Sequence, residues 1–388
     1  MVAISGMFYH IRALFYNPTS LILILIAYPL LFIWQGVDLT DQGYFLATYQ
    51  RVFDQPPTVL NPVAMFRWMT LVIGGLWHLV FSNLGVLGFK LAFVISIYFT
   101  MVSTYYTLKD HFDRTQLLLA LFLTLMFITK AIGNWLDNNS LTSLYFVAAC
   151  FLLMHGLKKQ RYIFIFLAAL ILGLNIFIRL PNALGFSLIL APFFYGYFNR
   201  FSRNQYLRLS LFFIFGYIFG IIIVFVAMHF IGHLPLFLDA FEDVFRRVSN
   251  KSDHHSANTL VVFLIKDSIK MIVLSLFSIG AIVTCSIFLS KLRYKAIQYL
   301  AISILTTVVY YGLDYLESWK WIYPGVIIFV MLYYILRTDK YTTQIRTIAC
   351  MSLIFLYAAS FGSGNGIRNM HFGMWLGLPM AILFLLQA

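Results

Sequence analysis

The sequence predicts an all-α protein, a polytopic transmembrane bundle of about 11 to 13 helices. Three observations carry that reading. Of the 388 residues, 61% are hydrophobic and only 11% are charged, where soluble domains carry about 25% charged residues. Apolar runs long enough for a bilayer recur along the chain and are separated by short polar loops. These runs lack the strict alternation of apolar and polar positions that a membrane β-barrel requires. A soluble domain has nowhere to fit, so residues 1–388 read as one transmembrane domain.

Taken in order, helices are expected near residues 14–34, 89–108, 117–133, 141–157, 162–178, 183–198, 209–231, 271–289, 296–313, 322–336, 347–361 and 373–388. The first run lacks a small-residue cleavage site and reads as a signal anchor. Residues 66–84 are apolar enough to span, but only Ser82, Asn83, Gly85 and Gly88 separate them from the next run. They are therefore placed as a half-inserted helix on the outer face. With the N-terminus inside, the inner loops collect Arg12, Lys109, Arg114, Lys158, Lys159, Arg161, Arg200, Arg203, Arg208, Lys291, Arg293, Lys295, Arg337, Lys340 and Arg346. That distribution follows the positive-inside rule. It also accounts for the net charge of +13 without invoking nucleic acid. The expected location is a multi-pass protein of a bacterial inner membrane, its working face toward the periplasm. Cys150, Cys285 and Cys350 fall inside apolar runs without metal-ligand spacing and read as core residues.

Of the 14 acidic residues, only Asp110, Asp113 and Asp339 fall in inner loops. Acids contribute little to orientation, so this bias points to use of the outer face. The first outer loop, residues 35–88, carries Asp38, Asp41 and Asp54, and the second, residues 232–270, carries Asp239, Glu242, Asp243, Arg246, Arg247 and Lys251. A third holds Asp314, Glu317 and Lys320 among aromatic residues, and a fourth reads GSGNGIRNMHF.

Within the first outer loop, Asp41 of GVDLTDQGYF is followed by Phe45, Leu46, Tyr49, Val52 and Phe53 at helical spacing. The pattern predicts a short amphipathic helix lying in the membrane interface. Thr40 or Asp38 would cap it, where a carboxylate also favours the helix dipole. Alternatively, a carboxylate held at membrane depth is partly desolvated and takes a proton from an attacking hydroxyl, or it holds a divalent cation, Mg or Mn, against a phosphate. Spacing leaves these open. Together with the topology, DQGYF resembles the acidic-aromatic motif of the GT-C superfamily of integral-membrane glycosyltransferases, specifically the protein O-mannosyltransferase-like and aminoarabinose-transferase-like enzymes. The resemblance implies Asp41 as catalytic base, with Tyr44 and Phe45 on the aromatic positions. Gln42 stands where a second acid is usual, so Asp38 would have to supply it. It further implies a polyprenyl-phosphate-linked sugar as donor and transfer to a lipid, glycan or protein acceptor on the outer face.

A lipid phosphate needs cationic donors, and the forked guanidinium suits it best. The candidates are Arg179, Arg247, Lys320, Arg368 and His371. Arg179 ends an apolar run before Pro181, an expensive place for an unpaired charge, although snorkelling to headgroups would also explain it. Arg368 lies among Gly362, Gly364 and Gly366, whose backbone could form an anion nest. His229 and His233 stand four apart without the glutamate of a zinc protease pattern. Two other functions compete: a transporter or flippase of lipid-linked sugars, and an O-antigen polymerase or ligase resting on Arg368 and His371.

Overall fold

The computed structural model describes residues 17–37, 40–54, 60, 62–131, 135–249, 257–290, 319–360 and 366–387, and among these there are helices and no strand. In chain order they are α1 (Pro18–Leu30), α2 (Asp41–Arg51), α3 (Pro62–Met65), α4 (Trp68–Phe81), α5 (Gly85–Leu108), α6 (Arg114–Ala131), α7 (Asn138–Lys159) and α8 (Tyr162–Asn175). They continue as α9 (Leu190–Phe198), α10 (Arg203–Ile231), α11 (Leu234–Ser249), α12 (Ala257–Ser290), α13 (Trp319–Leu336), α14 (Thr343–Ser360) and α15 (Met374–Gln387). Two 3-10 segments, Leu180–Ile189 and Gly366–Gly373, lead into α9 and α15.

Four stretches among the described residues are long and apolar enough to cross a membrane: Trp68–Leu108, Asn138–Lys159, Arg203–Ile231 and Asn369–Gln387. That is fewer than the sequence leads one to expect. Pro18–Leu30, Arg114–Thr129, Tyr162–Asn175 and Trp321–Leu336 are apolar but shorter. The run expected as one helix over 183–198 is split, because the chain after Pro181 coils as a 3-10 helix as far as Ile189. The helix expected near 296–313 lies outside the described residues, and α12 starts at Ala257, well inside the expected second outer loop. Trp68–Phe81 and α5 are separate helices: a 3-10 turn at Ser82–Leu84 and the positive φ of Gly85 turn the chain back, so that Trp77 Nε1 donates to the Gly88 carbonyl at 2.8 Å.

Local chemistry sets the helix ends. Asp137 and Ser140 form a reciprocal capping box on α7, and Ser202 and Gln205 do the same on α10. Gly232 stops α10 in the left-handed conformation, which glycine adopts without strain. Outward-facing Leu207, Phe215, Ile222, Val226 and Phe230 run the length of α10. Such a band suits hydrocarbon better than water.

The long helices run between two chemically distinct ends. At the basic end, Lys158 pairs with Asp110 at 2.6 Å, Arg337 with Asp339 at 3.1 Å, and Arg346 lies over the Phe198 ring at 3.7 Å. The opposite end gathers α2, the starts of α4 and α7, the segment after α8, and the approach to α15.

Candidate functional site at the end opposite the basic loops

The amphipathic helix expected after Asp41 is present as α2, with Phe45, Thr48, Tyr49 and Val52 buried. Gly74 and Gly75 of α4 lack side chains where the Tyr49 ring and Val52 arrive, so α2 docks directly on α4. The Tyr49 hydroxyl donates to the Leu136 carbonyl at 2.9 Å, and its ring stacks on Phe89. Phe45 meets Trp135 at 4.8 Å between centroids and lies beneath the Arg67 guanidinium at 5.4 Å. The helix thereby fastens the stretch that follows α1 to the segment just before α7.

Two further bonds bring Arg67 toward Arg179. Met69 N–H donates to the Phe177 carbonyl at 2.8 Å, and the Thr70 hydroxyl donates to that of Ile178 at 3.2 Å. Arg179 is buried, and its Nη1 donates to the Ala359 carbonyl at 2.8 Å. Burial, reinforced by the neighbouring Arg67 charge, lowers its pKa to about 10, and Asp137 opposes the shift. Arg179 therefore stays charged at neutral pH. Asp137 is itself buried, which pushes its carboxyl above the usual range against hydrogen bonds from Ser140 and Asn139. Burial, with the Asp137 charge second, raises the Tyr49 phenol far above its ordinary value, and Arg67 opposes this. Arg67, Asp137, Arg179 and Tyr49 are thus one electrostatic cluster, two guanidiniums against one carboxylate. An arrangement with surplus positive charge in a water-poor setting favours an anion.

Arg179 is held from below by polar groups. Asn182 Nδ2 donates to Thr142 Oγ1 at 2.7 Å and to Asn175 Oδ1 at 3.0 Å, while Asn182 N–H donates to the Arg179 carbonyl. Next to Thr142, Ser143 Oγ donates to the Phe372 carbonyl at 2.8 Å, which ties the buried His371 segment to the same turn of α7.

Asp41 occupies the first turn of α2, with Thr40 in the capping position but making no side-chain capping bond. The carboxylate is exposed and makes no ion pair among the described residues. Asp38 lies outside the described residues, as do the side chains of Arg247, Lys320 and Arg368. No three His, Cys, Asp or Glu side chains gather to hold a metal among the described residues. His229 is exposed and His233 buried, so this pair does not share a face as ligands would.

Three participants escaped the sequence reading. Arg67 is a lone cation in MFRWM, and Asp137 opens a capping box, the one signal that could have marked it. Lys90, also buried, places Nζ 3.5 Å from the Gly36 carbonyl.

His233 shows how tightly this end is wired. Its Nδ1 accepts a hydrogen bond from Trp68 Nε1 at 3.1 Å, which puts the proton of the neutral ring on Nε2. Burial lowers its pKa from the ordinary value. The unfolded chain therefore takes up this proton first, near pH 6.5. The stabilising contribution is complete above about pH 6.5 and declines as pH falls through and below it. His233→Asn keeps an acceptor for Trp68 without titrating. Between about pH 7 and pH 5 the wild-type Tm should drop further than that of His233→Asn; parallel declines would contradict the assignment.

No family model, curated protein or solved structure matches the chain.

Proposed function

We propose that the protein is an integral-membrane glycosyltransferase of GT-C type, moving a sugar from a polyprenyl-phosphate-linked donor to an acceptor on the outer face. The observation that supports this most is the docking of α2. The helix that begins at Asp41 is anchored by Phe45 and Tyr49 to the cluster of Arg67, Asp137 and Arg179. It carries a solvent-accessible carboxylate on the same short helix as Phe45, which lies beneath Arg67; from Asp41 to Tyr49 is about 12 Å along the axis. In the proposed reaction Asp41 takes the proton of the acceptor hydroxyl as its oxygen attacks the anomeric carbon. The bond from that carbon to the phosphate oxygen breaks with inversion. Arg179 and Arg67 hold the leaving phosphate. Asp38 supports Asp41, and Arg247, Lys320, Arg368 and His371 belong to the headgroup side of the same proposal.

Asp41→Asn should leave the protein folded and lower transfer by about a hundredfold or more, the share general-base catalysis supplies. The measurement is loss of the lipid-linked donor in proteoliposomes, and full activity in the variant would remove Asp41 from the mechanism.

Transport of a lipid-linked sugar is a second reading, favoured by Lys90. A buried cation within the Trp68–Leu108 stretch is the kind of group that marks a substrate path.

A further inference from the structure

Helix α11 packs against α3 and the start of α4, and it is lightly held there. Among its described residues Phe237 and Ala240 are buried, whereas Leu238, Asp239, Phe241 and Glu242 are exposed. Phe237 meets the Phe177 and Phe225 rings at 5.7 and 5.8 Å between centroids. The other attachment is His233, buried just before the helix and bonded to Trp68. Gly232, at φ +81°, gives the chain its turn between α10 and this histidine.

The contact with Trp68 requires a neutral ring. An indole N–H can only donate, so Nδ1 must keep its lone pair. A second proton on the ring sets N–H against N–H across 3.1 Å, and turning the ring over changes nothing, because both nitrogens of an imidazolium are donors. Nε2 is also buried and has no hydrogen-bond partner among the described residues, so the charged ring gains nothing on that side. The surrounding elements offer no counter-charge among the described residues. On α10 His229 is exposed, on α11 Asp239 and Glu242 are exposed, and α3 has no titratable side chain. Arg67 turns to the Phe45 ring, and it and Arg179, two residues beyond Phe177, are cations themselves. Burial accordingly sets the His233 pKa below its ordinary value.

We propose that His233 is a proton-operated latch, and that its protonation breaks the bond to Trp68 and releases α11 from the start of α4 and from Phe177. The released ring titrates near its ordinary pKa of about 6.5 and the latched ring below it. Acid therefore favours release: the gain is negligible above about pH 7.5 and reaches at most about thirtyfold at pH 5. The latch concerns α11 alone and stands whether or not the protein transfers sugar.

The test is amide hydrogen exchange of the full chain in phosphatidylcholine nanodiscs at about pH 7.5 and about pH 5, corrected for the intrinsic pH dependence of exchange. On acidification, exchange over residues 237–242 should rise about tenfold or more, while α7 stays protected. His233→Asn keeps an acceptor for Trp68 without titrating, so exchange over 237–242 should remain slow at both pH values. Trp68→Phe removes the donor and should raise exchange at neutral pH toward the acid level of the wild type. A wild type without the rise, an equal rise in α7, the same rise in His233→Asn, or a Trp68→Phe variant that exchanges like wild type at neutral pH would overturn the latch.

Discussion

Gly216→Leu should prevent the protein from folding. Helices α8 and α10 pack backbone to backbone, and a Cβ on Gly216 would be driven into the Phe166 carbonyl oxygen. Gly220 meets the Leu170 carbonyl and Gly173 the Tyr217 carbonyl in the same way. Small residues are what allow such close approach between membrane helices. The opposing atoms belong to the main chain, so no rotamer change makes room, and the helices must separate. Ala168, Ala169, Leu172, Phe213 and Tyr217, all buried near this seam, would lose packing together. Overpacking alone costs about 1–3 kcal/mol, and with that loss the total should exceed about 4 kcal/mol. This is a large part of the roughly 5–15 kcal/mol that holds a domain folded. The check is the monodisperse fraction after detergent extraction together with Tm; a Tm close to wild type would show that the seam is looser than described.

Asp137→Ala should produce the second largest effect. It removes the cap of α7, worth about 0.5–2 kcal/mol, and it removes the carboxylate that offsets Arg67 and Arg179. Asp137→Asn separates the two contributions, because asparagine caps as well as aspartate but carries no charge. The alanine variant should lose Tm through the lost cap, whereas the asparagine variant should keep a Tm close to wild type, because burial already disfavours the charged carboxyl. Both should bind an alkyl phosphate more tightly than wild type, since the surplus positive charge grows. Unchanged phosphate affinity in Asp137→Asn would place the carboxylate outside the site.

Helix positions were legible because bilayer chemistry writes them locally. Hydropathy and basic loops placed α5, α6, α7, α8, α13, α14 and α15 within a few residues of their observed ends. The period of Phe45, Tyr49 and Val52 likewise foretold α2 and its buried face. The cluster around Arg179 was not legible, because its bonds join distant positions. Tyr49 reaches Leu136 across 87 residues, Thr70 reaches Ile178 across 108, and Arg179 reaches Ala359 across 180. Arg179 itself could be singled out as a charge at the end of an apolar run. Its neighbour Arg67 could not, and the capping box at Asp137 marks a helix start without announcing a distant partner. The 3-10 segment Leu180–Ile189 was missed for another reason: an apolar composition fits either helical type.

The most direct test of transfer at this site follows both products in one vessel. Proteoliposomes are loaded with polyprenyl-phosphate-linked sugar, and mass spectrometry measures free polyprenyl phosphate alongside sugar attached to acceptor. One carrier phosphate released for each sugar attached, in wild type and not in Asp41→Asn, is the predicted result. Lipid-linked sugar that crosses the bilayer intact, with no carrier phosphate released by either protein, would contradict the account and identify a transporter.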